Sequence, residues 1–127
     1  MIPSAPLTRI LVVEDNFPVA DSLRMLLESE GYAVAALAGN VRAALAAVER
    51  GGFDIAVLDI LVGAESVAPV AERIEAARIP IIYTSGYLDA DVLPEPLRQH
   101  PRLDKPCDPT LLIRTIETLL AAQGETP

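Results

Sequence analysis

Apolar positions along the chain alternate between two periods. Arg9–Val13 (RILVV) is a short, β-branched run of the kind a strand buried on both faces shows. Residues 16–30 read as a helix. Pro18 falls in its first turn, where a missing N–H costs little, and Val19, Leu23, Leu26 and Leu27 recur at helical spacing. Gly31 is the natural stop. Residues 33–37 (AVAAL) form a second apolar run, weaker as a strand because alanine is a poor strand former. Asn40 is placed to cap a second helix with the stripe Val41, Ala44, Leu45 and Val48, ended by Gly51 and Gly52.

The alternation continues to the C-terminus. Residues 54–59 (DIAVLD) predict a third strand with Ile55, Val57 and Leu58 buried. A loop through Gly63 leads to a helix over residues 66–77, capped by Ser66. Residues 79–84 (IPIIYT) predict a fourth strand, with Pro80 near its start, where an absent donor is tolerated. Residues 92–99 predict a short helix weakened by Pro94 and Pro96, and Arg102–Asp104 a brief fifth strand. Asp108 or Thr110 opens the last helix, with Leu112, Ile116, Leu119 and Leu120 on one face. Five strands alternating with about five helices imply a doubly wound, five-stranded parallel α/β sheet with helices on both faces. In such sheets chemistry gathers outside the C-terminal strand ends, at the topological switch point.

Composition narrows the class. The 127 residues predict one domain, and 51% apolar residues are enough for a core. Eighteen acidic against ten basic residues leave a net charge of −8, against a nucleic-acid groove or an anionic membrane as partner. The longest apolar stretch, residues 32–39, is far short of the ~20 residues that span a bilayer. The N-terminus lacks the basic start and apolar block of a signal peptide, and a single cysteine suits a reducing, cytoplasmic setting. Nine of the ten basic residues are arginine; the only lysine is Lys105.

The expected strand ends carry the chemistry. They are Glu14 and Asp15 after the first strand, Asp59 at the third, Thr84-Ser85-Gly86 at the fourth, and Asp104-Lys105-Pro106 at the fifth. Three clustered carboxylates repel one another unless a cation joins them, and a hard dication such as Mg²⁺ suits oxygen donors. A carboxylate beside Mg²⁺, with a hydroxyl and a lysine nearby, is suited to accept a phosphoryl group. Asp59 would be the nucleophile, Lys105 the counter-charge and Ser85 a hydrogen-bond donor, with Thr84 competing for the last role.

RILVVEDN (9–16), IAVLDI (55–60), PIIYTSGY (80–87) and LDKPCDP (103–109) occur in order and at the spacing of response-regulator receiver domains. The chain resembles that family over about residues 8–122, leaving residues 1–7 and 123–127 as tails. The resemblance implies a flavodoxin-like (βα)5 fold. It implies Asp59 as phosphoacceptor, Ser85 as switch hydroxyl and Lys105 as the phosphate-contacting lysine. It implies Mg²⁺ held by Glu14, Asp15, Asp59 and the backbone carbonyl of Leu61, and a cis Lys105–Pro106 bond. Its implied partners are a sensor histidine kinase or histidine phosphotransfer protein and a downstream protein; its only chemistry is phosphoryl gain and loss at Asp59. Residues 83–87 (YTSGY) are similar to the signature of the FAT GUY receivers, with Tyr for Phe and Thr-Ser for Ala-Thr. Three residues before the lysine most receivers carry a switch aromatic; here it is Arg102, which leaves signalling by aromatic rotation in question. The family's frequent Phe after Lys-Pro is Cys107.

The remaining polar residues have simpler readings. Cys107 is expected to pack, His100 to sit on the surface, and Asp89, Asp91 and Glu95 to be solvated; Tyr87 is a loop or contact residue. The chain leaves little room after its last helix, so a stand-alone receiver acting through a protein contact is the expectation. Its expected output surface is the fourth helix, fifth strand and last helix, where prolines crowd. One rival is an unphosphorylated interaction module, which Arg102 favours. Another is a small Asp-nucleophile phosphohydrolase, which would need longer loops or a cap. Nucleotide or flavin binding is disfavoured because the turn at residues 14–17 has no glycine.

Overall fold

A computed structural model describes residues 6–86, 89 and 91–124. In chain order the elements are β1 (Arg9–Val13), α1 (Phe17–Ser29), β2 (Ala33–Ala38), α2 (Val41–Arg50), β3 (Ile55–Asp59), β4 (Leu61–Val62) and β5 (Glu65–Ser66). They continue with α3 (Ala68–Ala76), β6 (Ile81–Ser85), a 3₁₀ turn (Glu95–Gln99), β7 (Arg102–Asp104) and α4 (Pro109–Gly124). The main sheet has the order β2-β1-β3-β6-β7, with every neighbouring pair parallel. β1 and β3 are adjacent, and their connections leave in opposite directions, which makes their C-terminal ends the switch point.

Period-two alternation divides the core into two layers. Leu11, Val13, Ala56, Leu58, Ile81 and Tyr83 face α2 and α3. Ile10, Val12, Ile55, Val57 and Ile82 face α1 and α4, meeting Leu27, Leu112 and Ile116. Helix ends follow the expected chemistry. Asn16 Oδ1 accepts from the Val19 N–H (3.2 Å), and Asn40 Oδ1 from the Ala43 N–H (2.7 Å). Asp108 Oδ1 takes the Thr110 N–H at 2.9 Å, so Asp108 opens α4.

Three expectations need correction. Val19 is 41% exposed; the inward face of α1 runs through Ala20 and Leu27 instead, with Leu23 and Leu26 partly buried. The loop through Gly63 contains the two-stranded β4–β5 hairpin, and α3 starts at Ala68, although Ser66 Oγ still accepts from the Ala68 N–H at 3.1 Å. The weakened helix over residues 92–99 is only the 3₁₀ turn, because Pro94 and Pro96 remove N–H groups an α-helix needs. The last helix runs to Gly124. Tyr87 lies outside the described residues.

Candidate functional site

β1 and β3 deliver Glu14, Asp15 and Asp59 to one place: a carboxylate oxygen from each lies within 4.8 Å of the others. Glu14 and Asp59 are each only 3% exposed, while Asp15 is on the surface. The Glu14 N–H donates to the Ala38 carbonyl (3.0 Å), and its Oε2 accepts from the Asn16 N–H (3.0 Å), which holds the side chain across the turn. Lys105 enters from the end of β7, where its N–H donates to the Ser85 carbonyl (2.9 Å) and the Lys105–Pro106 bond is cis. Its Nζ donates to Glu14 Oε1 at 2.8 Å and to Asp59 Oδ2 at 2.7 Å. The single lysine thus bridges the two buried acids.

Charge and burial compete here. Burial pushes the Asp59 carboxyl up to about 6; the Lys105 hydrogen bond and charge pull it down, and Glu14 and Asp15 add to the rise. Burial alone would lower the Lys105 ammonium, but its bonds to Asp59 and Glu14 outweigh that and hold it above its usual value. The lysine is stabilised by two anions, whereas burial dominates the aspartate.

Thr84 and Ser85 are both buried but turn to different sides. Thr84, the register partner of Asp59, lines the same groove as Glu14 and Lys105. Ser85 Oγ donates to the Gly86 carbonyl (3.1 Å) and accepts from Arg102 Nη1 (3.2 Å). No hydrogen bond joins Ser85 to Asp59 among the described residues. Leu61 follows two residues after Asp59, opposite Ser66 in the hairpin. Cys107 is half-buried against the α1–α4 layer, and burial pushes its thiol up, as packing requires.

The residues matched by a sequence profile described as "Response regulator receiver domain" are 10–117. The chain belongs to the response regulator receiver domain family. RegX3, a sensory transduction protein of Mycolicibacterium smegmatis, is 38% identical to this receiver over 81 residues, 63% of this chain and 35% of its own. The chain therefore spans about a third of that relative. An uncharacterized 14.6 kDa protein of Leptolyngbya boryana is 33% identical over 114 residues, covering 85% of this chain and 86% of its own. The solution structure of SdrG from Sphingomonas melonis Fr1 superposes with a TM-score of 0.78 at 36% identity, covering 90% of this chain and 97% of that one. A CheY-like receiver from Methanospirillum hungatei JF-1 gives a TM-score of 0.84 at 29% identity, covering 94% and 98%. No helix among the described residues of this receiver is long and apolar enough to cross a membrane.

Sequence reasoning missed two roles. His100, expected as a plain surface residue, is half-buried; its ring meets Tyr83 edge-on (centroids 5.9 Å apart) and its Nε2 lies 2.7 Å from Glu75 Oε2. Arg102, noted only for the aromatic it replaces, bonds directly to Ser85. No local pattern announces either contact, since both partners come from other strands and helices.

Proposed function

We propose that Asp59 accepts a phosphoryl group from a phosphohistidine of a sensor histidine kinase or histidine phosphotransfer protein, and that loading changes a protein-binding surface. One observation carries this reading: Lys105 Nζ bonded to both Asp59 and Glu14 in a buried pocket of acids. The free Asp59 oxygen attacks phosphorus, and the donor's P–N bond breaks with its electron pair left on the imidazole. The other ring nitrogen carries the proton, so the imidazole leaves neutral. Above about pH 6 Asp59 is mainly ionised and able to attack. Lys105 then balances the transferred oxygens as a point charge, and Ser85 turns from the Gly86 carbonyl to donate to one of them.

The donor set fits a hard dication: three carboxylates within 4.8 Å, two of them buried, with a single ammonium against them. Glu14, Asp15, Asp59 and the Leu61 carbonyl would hold Mg²⁺. When bound, it supplies neutralising charge beside the phosphoryl oxygens. The donor protein has a surface to meet. Phe17 (70% exposed) and Val19 open α1 next to Asp15, and an apolar groove of about 620 Å3 runs from Val19 and Leu23 to Cys107, reaching Glu14 and Lys105. The output surface is the 3₁₀ turn, β7 and α4; equal hydrogen-exchange protection there before and after loading would count against it.

The test is intact-mass measurement after incubation with Mg²⁺ and a small acyl phosphate. The expected result is a gain of one phosphoryl group in the parent protein and none in Asp59→Ala. Absence of gain with any donor would instead support an interaction module that keeps the fold without phosphorylation. Sustained release of phosphate from unrelated monoesters would support a hydrolase.

A further inference from the structure

Ser85 is 1% exposed, so its hydroxyl chooses among protein partners rather than water. It has one proton and two lone pairs. The proton points to the Gly86 carbonyl at 3.1 Å, and one lone pair takes the Arg102 Nη1–H at 3.2 Å. The strand register explains the reach. Arg102 stands beside Tyr83 and Asp104 beside Ser85, so Arg102 and Ser85 are diagonal neighbours, bridged only by a long side chain. Asp104 Oδ1, at 4.0 Å from the same guanidinium nitrogen, supplies the nearest counter-charge. The loop beyond is tied on its own side, with the Gly86 N–H held by Asp89 Oδ2 at 2.8 Å.

We infer that Arg102 is a positioning residue for phosphoryl acceptance, holding the Ser85 hydroxyl as a hydrogen-bond donor. This rests on the reading of Asp59 as phosphoacceptor. A phosphoryl oxygen accepts and never donates, so Ser85 serves it only by giving its proton. A guanidinium has no acceptor and cannot take that proton. With a lone pair occupied by Arg102, the Ser85 proton stays free to leave the Gly86 carbonyl for a phosphoryl oxygen once Asp59 is loaded. A charged donor on the oxygen also polarises the O–H and strengthens its donation. A phenylalanine at position 102 could not make this bond. The position thus retains a link to the hydroxyl, carried by charge instead of ring rotation.

The experiment is a double-mutant cycle on the rate of phosphoryl gain, read by intact mass with Mg²⁺ and a small acyl phosphate. Arg102→Met is expected to slow loading about fivefold, the order of the net worth of one hydrogen bond. Arg102→Lys, which keeps an N–H donor and a charge, is expected to recover part of the rate. In a Ser85→Ala background Arg102→Met is expected to change nothing further. The thermal midpoint of each variant separates a loss of fold from a loss of rate. An Arg102→Met rate equal to the parent's, or an undiminished fivefold effect on top of Ser85→Ala, overturns the inference while leaving the phosphoacceptor reading intact. No mass gain in the parent overturns both.

Discussion

Neutralising Asp59 should stabilise this fold at neutral pH in the absence of divalent metal. Asp59→Asn keeps the shape of the side chain and leaves Lys105 an oxygen to donate to, but removes one buried negative charge. Burial has moved the Asp59 carboxyl from 3.8 to about 6. At about 1.4 kcal/mol per tenfold change in proton affinity, ionising it in the folded protein costs about 3 kcal/mol more than in the unfolded chain. The sign follows from proton counting. Between these two values the folded state binds more protons than the unfolded state, so stability falls as pH rises. The contribution of protonated Asp59 is fully present below about 3.8 and lost as pH passes about 6.

The asparagine variant never ionises, so its advantage over the parent should be near zero at pH 4 and full by pH 7. An asparagine is an imperfect copy of a protonated carboxyl, and the bond to Lys105 weakens without charge. About 2 kcal/mol is therefore the expected gain, or roughly 8 °C in the midpoint for a domain of this size. The assay is urea and thermal unfolding of both proteins in chelator across that pH range. A variant no more stable than the parent at pH 7, or one equally more stable at pH 4, would refute the account of Asp59 as a carboxylate strained by burial.

Three further outcomes follow from the same geometry. Mg²⁺ at about ten times its dissociation constant should raise the parent's stability by about 1.4 kcal/mol, seen as a higher midpoint, and should do much less for Asp59→Asn. Lys105→Met removes the cation bonded to Glu14 and Asp59 and should cost about 2 kcal/mol in urea unfolding at pH 7, a loss that shrinks toward pH 4 as Asp59 protonates. Arg78→Gly should stabilise by about 1 kcal/mol, measured by urea midpoint, because Arg78 holds φ +59, which favours glycine.

That last position shows where the sequence speaks and where it is silent. α1 ends with the Gly31 N–H on the Glu28 carbonyl and the Tyr32 N–H on the Leu27 carbonyl, and Gly31 advertises the stop. α3 ends with the same pair of bonds, the Arg78 N–H on Glu75 and the Ile79 N–H on Ile74, but nothing in an arginine announces a left-handed residue. The β4–β5 hairpin escaped notice for a related reason. Two residues per strand are too few to display a period of two. Where apolar runs were longer, as in β1 and β3, or a cap was chemically explicit, as at Asn40, element and boundary were readable within a residue or so.

The candidate site divides in the same way. Glu14, Asp15, Asp59 and Lys105 were legible because a parallel sheet must bring its C-terminal strand ends together, whatever the side chains. Position along the chain then stands in for position in space. The states of those side chains were not legible, because they depend on burial: Asp59 and Glu14 are nearly inaccessible, while Asp15 beside them is exposed. Direction was not legible either. Thr84 and Ser85 are adjacent hydroxyls at one strand end, yet alternation sends Thr84 toward the groove with Lys105 and Ser85 toward Arg102. Read as a substitution in a family pattern, Arg102 looks like the loss of a switch. Placed on β7 diagonally across from Ser85, it becomes a charged donor that a phenylalanine ring could not replace, and the difference lies wholly in the pairing of two strands.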